Sequence, residues 1–215
     1  MCGRYADPRE EEIIAAFDVE VVSGHKEPSR NVSPTQAVRI VVEDAVRELR
    51  LARWGLVPSW TKAINSRMLL INARSETLTA KPSFRAAAVH RRAIVPATGY
   101  YEWAANPAGR KTPYFLHPDD DSVLGFAGVY EWWRVPDGVT VAGAADGWLC
   151  SVAIITRPAM DSIGQIHDRM PVVVPPGLVG DWLGQTITLP GQVDELLAAM
   201  PDPVLIPTQR SPLAA

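Results

Sequence analysis

Between residues 92 and 174 the chain offers short apolar runs and little helical spacing. "RAIVP" (92–96), "GYYEW" (99–103), "PYFL" (113–116), "VLGFAGVYEWW" (123–133), "LCSVAIIT" (149–156) and "MPVVV" (170–174) follow one another. Runs of this length, rich in β-branched and aromatic residues, read as strands. "AVRIVV" (37–42) and "VRELRLARW" (46–54) read the same way, the second with near-alternating polarity. The nineteen prolines fall mostly where these runs end, as strand interiors require. Helices are few. One opens at "DPREEEIIAAF", where Asp7 is expected to cap, Pro8 to take the first position and Glu10 to complete an Asp-x-x-Glu box, with an end near Asp18. Others are expected at 82–90, 177–183 and 192–199, and residues 135–147 read as a surface loop. Many short strands and few helices predict an α+β fold. It is a single domain over 1–215, with a mixed, mainly antiparallel, partly barrel-like sheet flanked by a few helices.

Composition removes several function classes. No apolar run approaches the ~20 residues of a membrane span. The charges at Arg4, Asp7, Arg9 and Glu10 to Glu12 leave no signal-peptide core, so a cytoplasmic protein is expected, with no membrane partner. Two cysteines give little scope for a disulfide framework, and Cys150 reads as a buried core thiol. The four histidines show no ligand spacing, and no Gly-rich phosphate loop or dinucleotide fingerprint is present, so neither metal nor cofactor is expected. Nothing suggests a stable oligomer, and a monomer is expected.

The net charge of −3 conceals a segregation. Residues 50–92 hold nine basic residues and one acid, a net +8, leaving −11 for the remainder. A local phosphate-binding face would produce this asymmetry, and so would solvated faces paired with acids elsewhere.

A few residues in this frame could carry chemistry. His167, at the entry to an apolar strand, could shuttle protons or simply be hydrogen-bonded in place beside Asp168 and Arg169. Glu102 lies among Tyr100, Tyr101 and Trp103; alternation puts it on the face opposite Tyr101 and Trp103, where it is either a desolvated acid or a carboxylate facing water. Glu131 is a weaker candidate of the same kind. Asn72 and Arg74 share a strand face and suit an oxyanion or a phosphate, or are an ordinary turn amide and surface guanidinium. Trp54 reads as core, whereas Trp60, beside a loop, is the better platform for stacking a base. Cys2 is the oddest placement. Once Met1 is removed, it offers a thiol and an α-amine on one residue.

In order, "MCGRY", "NVSPTQ", "RWGLVPSW", "INARSET", "KPSFR", "VPATGYYEW", "FAGVYEWW" and "IHDRMPVVV" resemble the motifs of the SRAP family, the SOS-response-associated peptidase-like proteins that attach to abasic sites in DNA. They span residues 1 to about 185. The resemblance implies that the Cys2 amine attacks the C1′ aldehyde of a ring-opened abasic site and that the thiol then closes a thiazolidine. Strand-cleaving lyase activity is a further expectation. An α-amine of pKa ~8 is substantially neutral near pH 7.5, and a thiol of pKa ~8.5 supplies some thiolate. By position, Asn72 would place Cys2 and the sugar, Glu102 would transfer protons during imine formation, and His167 would act as acid and base on the deoxyribose. Arg4, Arg67, Arg74, Arg85 and Thr156 would contact DNA, and Pro34 and Trp60 would splay it at a single-strand/double-strand junction. The sequence departs from the family at "TRPAM" (156–160), where Arg157 and Met160 replace the usual Thr and Asn, and at its C-terminal tail. Two other readings stand beside this one. One is a cysteine peptidase pairing Cys2 with His167, its amino-terminal processing autoproteolytic; the other is a non-covalent single-stranded DNA-binding module.

Overall fold

The computed structural model describes residues 2–64, 69–105, 110–160 and 166–212. Arg67 lies outside them, as does most of the turn-like segment before His167. The chain runs through β1 (Tyr5–Ala6), α1 (Glu10–Phe17), β2 (Val21–Val22), β3 (Ala37–Glu43), β4 (Arg47–Trp54), β5 (Asn72–Arg74), α2 (Arg85–His90), β6 (Arg92–Ala97), β7 (Gly99–Ala105) and β8 (Lys111–His117). It continues with β9 (Leu124–Arg134), β10 (Trp148–Pro158), β11 (Arg169–Pro171), α3 (Val179–Leu183), α4 (Pro190–Ala199) and β12 (Ile206–Gln209). Single 3-10 turns occupy Ser75–Thr77 and Pro176–Leu178.

Strands β10, β9, β6, β3 and β4 pair in that order, and β4 pairs again with β10, closing a five-stranded barrel. The β10–β4, β10–β5 and β2–β4 pairings are parallel, and the other ladders antiparallel, so the sheet is mixed and mainly antiparallel as expected. Closure buries both faces of the wall. Val38, Ile40, Trp54, Val95, Phe126, Val152 and Ile154 fill one cluster, while Val41, Ile94, Val129 and Ile155 pack outward against Ile13 and Phe17 of α1, Trp182 of α3 and Leu197 of α4. This is why β3 and β6 read as continuous apolar runs rather than alternating ones. A second sheet, β1-β7-β8-β12, carries the amino terminus. Gly99 permits its tight start: an added Cβ there would lie 2.6 Å from the Leu116 carbonyl oxygen. No described helix is long and apolar enough to cross a membrane.

Three sequence expectations are revised. Asp7 does not cap α1. Its carboxylate is taken by the buried Arg39 (2.8 Å) and by Lys26 (2.8 Å), and the Glu12 carboxylate instead accepts the Arg9 backbone N–H (2.8 Å). Helix α1 therefore starts at Glu10, and it ends as expected at Asp18, in the left-handed region (φ 50°). The helix expected at 82–90 begins only at Arg85. The basic window overstates the surface charge. Arg92 is buried and donates to the Trp182 carbonyl (2.7 Å), Arg91 pairs with Glu131 (2.8 Å), Arg50 pairs with Glu48, and the half-buried Arg53 donates to the Gly55 carbonyl (3.1 Å). Lys62, Arg74, Lys81 and Arg85 remain exposed.

Candidate active site at the amino terminus

The chain start is part of the sheet. Tyr5 pairs with Tyr100 of β7 on one side and bridges Val32 on the other, and Tyr101 donates its backbone N–H to the Arg4 carbonyl (2.9 Å). Ala6 and Asp7 are held in turn by the Thr98 N–H (2.9 Å) and the Ser29 carbonyl (2.8 Å). Cys2 thereby reaches the barrel cluster and is wholly buried. Burial pushes its thiol well above the ordinary value, the Glu102 charge adds to the rise, and the Arg4 backbone N–H opposes it. The thiolate expected from an unperturbed cysteine is therefore disfavoured, because the low-dielectric setting penalises the charged form.

Asn72 contacts this residue directly, Glu102 acts on its thiol, and His167 acts in turn on Glu102. Strand β5, held by its parallel pairing to β10, aims the Asn72 amide at the Cys2 carbonyl (Nδ2 to O 3.0 Å). On β7, alternation turns Glu102 to the same face as Tyr100, away from the cluster in which Tyr101 packs with Ala6, Phe115 and Trp103. Glu102 is 4% exposed. Burial raises its carboxyl above the usual range, and the nearby His167 partly offsets the shift. His167 precedes β11, where the Arg169 backbone N–H donates to its Nδ1 (3.0 Å). Asp168 Oδ1 lies 2.8 Å from the same nitrogen, but one protonation state cannot serve both contacts. A neutral ring accepts from Arg169 and keeps its proton on Nε2; a protonated ring turns that Nδ1 proton toward Asp168.

Arg169 and Thr156, which the sequence reading did not join, tie these elements together. The Arg169 guanidinium donates to the Thr156 carbonyl (2.6 Å) and hydroxyl (3.2 Å), and grips Glu76 just beyond β5 (3.0 Å to Oε2). That grip holds the Glu76 carboxyl down at about 2. Thr156 is thus buried and engaged by protein, while its β5 register partner Arg74 is exposed beside it. Arg4 is half-buried next to Cys2, Pro34 is half-buried, and Trp60 is 61% exposed; Trp54 is core, its indole N–H on the Ile71 carbonyl (3.0 Å). Arg85 is exposed on α2, which packs on α4, β6 and β9, elements that contribute none of Asn72, Glu102 and His167. At the departure in "TRPAM", Arg157 donates to the Leu197 (2.6 Å) and Met200 (2.7 Å) carbonyls and so closes the end of α4. Glu131 is occupied by Arg91, and Cys150 is a core thiol pushed up to about 12 by burial. Among the described residues no His, Cys, Asp and Glu cluster could hold a metal ion.

Fold and site together define a class: α+β proteins with a closed five-stranded barrel that bury the second residue of the chain, a cysteine, beside an amide, a carboxyl and an imidazole. The chain belongs to the SRAP (SOS response associated peptidase) family, whose model matches residues 1–209. It is similar to the abasic site processing protein YoqW of Bacillus subtilis, with 35% identity over 201 residues covering 92% of this chain and 86% of YoqW. It is also similar to the abasic site processing protein HMCES of Rattus norvegicus, with 32% identity over 180 residues covering 68% of this chain and 50% of HMCES. A crystal structure of a protein from Bordetella bronchiseptica shares the fold, with a TM-score of 0.79 at 24% identity over 98% of this chain and 100% of the other.

Proposed function

We propose that this protein processes abasic sites in single-stranded DNA, its residues 1–215 acting as one unit, by forming a thiazolidine crosslink through Cys2 after Met1 is removed. The observation that carries the reading is the burial of Cys2 at the head of a strand, its carbonyl on Asn72 and its thiol in the field of Glu102. The names of the family relatives point to the same substrate.

The α-amine, neutral in about a quarter of molecules near pH 7.5, adds in that form to the C1′ aldehyde of the opened sugar. Glu102, kept protonated to higher pH by burial, gives its proton to the departing hydroxyl, so that water leaves and a C1′=N iminium forms. The thiol then yields its proton to the Glu102 carboxylate. The S–C1′ bond forms while the C=N pair returns to nitrogen, an intramolecular closure that tethering favours strongly. Asn72 fixes the backbone carrying both nucleophiles. His167, with its proton on Nε2, acts on the deoxyribose during ring opening and during the β-elimination that would cut the strand. Arg4 and Arg74 flank this position and suit phosphates on either side of the lesion. Trp60 and Pro34 suit the wedge that separates stacked bases, and Arg85 suits a phosphate further along the DNA.

The peptidase reading draws less support. A cysteine nucleophile paired with histidine has a depressed pKa, whereas the Cys2 thiol is raised and His167 acts on Glu102. The test is incubation with an abasic single-stranded oligonucleotide without reductant, followed by a denaturing gel. A shifted band that disappears with Cys2→Ala is expected. A band equally strong in Cys2→Ala would sink the thiazolidine reading, and binding fully reversed by salt in the wild type would leave only a non-covalent module.

A further inference from the structure

The crosslinking scheme leaves the Cys2 sulfur with a difficulty. Ring closure needs a thiolate, yet the thiol is wholly buried, and burial disfavours its charged form. A donor aimed at the sulfur would offset that penalty, as preorganised donors do wherever charge develops in a dry site. The Arg4 backbone N–H is one such donor.

Tyr100 is a candidate for another. It stands on the β7 face that carries Glu102 and packs in the same cluster as Cys2. It is wholly buried, and its hydroxyl has no hydrogen-bond partner among the described residues. Buried phenols without a partner are uncommon and call for a reason. Nor can the ring turn away freely: it lies edge-on to Phe126 (centroids 5.9 Å apart, planes at 80°) and directly opposite Tyr5 across the β1–β7 ladder. The ionisable groups around the Tyr100 phenol are Cys2 and Glu102. Those around Tyr5, whose hydroxyl is also buried without a partner among the described residues and whose ring is also edge-on to Phe126 (6.2 Å, 79°), are chiefly Asp7 and Arg39, with Cys2 the weakest influence.

We propose that Tyr100 is a further catalytic residue of the Cys2 site, its phenol O–H donating a hydrogen bond to the sulfur as the thiol becomes a thiolate and closes the ring. The step rests on the crosslinking reading above and keeps its balance. The thiol proton passes to the Glu102 carboxylate, the sulfur pair forms the bond to C1′, the C=N pair returns to nitrogen, and the phenol keeps its own proton throughout. Tyr100 therefore acts after the imine has formed and leaves the amine's attack alone.

The experiment separates those two stages. Wild type, Tyr100→Phe and Tyr5→Phe, each with Met1 removed, are mixed with an abasic single-stranded oligonucleotide. Samples taken over time are split, one half quenched with borohydride, which traps the imine, and the other denatured without reductant, which retains only the closed ring. Tyr100→Phe is expected to trap imine within twofold of wild type and to close the ring about ten- to a hundredfold more slowly, the range for one hydrogen bond to a charged group. Its thiol should also be alkylated by iodoacetamide only at higher pH than the wild-type thiol. Tyr5→Phe, which deletes a phenol from the same packing, should behave as wild type in both. Ring closure at the wild-type rate in Tyr100→Phe, with an unmoved alkylation profile, would overturn the proposal. Equal slowing in both variants would overturn it too, assigning the effect to packing on Phe126. If wild type yields neither imine nor ring, the crosslinking reading itself fails, and the assignment with it.

Discussion

Replacing Asp7 by Asn removes, among the described residues, the one carboxylate that forms an ion pair with the buried Arg39 guanidinium. Arg39 has no exposed surface, Asp7 is 6% exposed, and Nη2 of Arg39 meets the Asp7 carboxylate at 2.8 Å; Nε and Nη1 of Arg39 have no hydrogen-bond partner among the described residues. Lys26, the second cation on Asp7, is nearer the surface and stays hydrated when the carboxylate goes. Breaking a buried pair from one side typically costs about 3–5 kcal/mol, because the remaining charge cannot recover its water. Asn can still accept one bond from Arg39, so the low end, ~3 kcal/mol, is the expectation. For a chain of this length each kcal/mol moves Tm by roughly 2–4 °C, giving a loss of roughly 6–12 °C by differential scanning calorimetry at pH 7. Replacing both partners, Asp7→Leu with Arg39→Met, should recover most of it, because no charge is then left buried. An Asp7→Asn protein melting within 2 °C of wild type would refute the reasoning, as would a double variant less stable than the single one. The pair also roots the strand that carries Cys2, so crosslinking by Asp7→Asn should fall even at temperatures where the protein remains folded.

Glu102→Gln should slow crosslinking by about 10²–10⁴-fold, the range for a lost general acid. It should also raise Tm at pH 8 more than at pH 4. A carboxyl whose folded value lies above its unfolded value makes wild-type stability fall as pH rises past about 4.5, and glutamine has no proton to lose. Glu76→Gln should matter in the opposite window. The depressed Glu76 carboxyl stabilises the fold above pH 4.5 and loses that effect as pH falls through about 2, so the Tm difference from wild type should vanish in acid. With Glu76 half exposed, the difference at neutral pH should be at most about 1 kcal/mol. Trp60→Ala should leave Tm within ~1 °C, since the ring is 61% exposed, yet weaken single-stranded DNA binding by about 1–3 kcal/mol in a filter or anisotropy titration.

The elements most legible in the sequence were those in which one face dictated the pattern. Alternation in "GYYEW" put Glu102 opposite Tyr101, and the near-alternation of "VRELRLARW" marked β4 and the burial of Trp54. The two-residue strands β1 and β2 left no such trace, because they are too short to show a period and exist through their partners, whereas the three-residue β5 showed only the alternation that sets Asn72 and Arg74 on one face. Edge strand β12, exposed along its length, carried no apolar pattern either. Asp7 was misread because a cap signature is local, whereas its real partner, Arg39, lies far along the chain. A signal for that partner was present, since Arg39 interrupts the apolar run "AVRIVV", and a lone arginine in a doubly buried strand needs a carboxylate. The charge window left two readings open for a related reason. Counting residues cannot distinguish Arg92, sunk against Trp182, from Arg74 at the surface. At the site, the types Cys2, Asn72, Glu102 and His167 were readable, but the surroundings that set their chemistry were not. Tyr100 became visible as a candidate only once its hydroxyl was seen buried without a partner.

The most direct test of Cys2 as the working amino terminus is intact mass spectrometry of the protein after incubation with an abasic oligonucleotide, without reductant and under denaturing conditions. A species equal to the chain lacking Met1 plus the oligonucleotide minus one water is expected, and no such species when residues are retained ahead of Cys2. An adduct that forms equally well with the amino terminus blocked would contradict that role of Cys2.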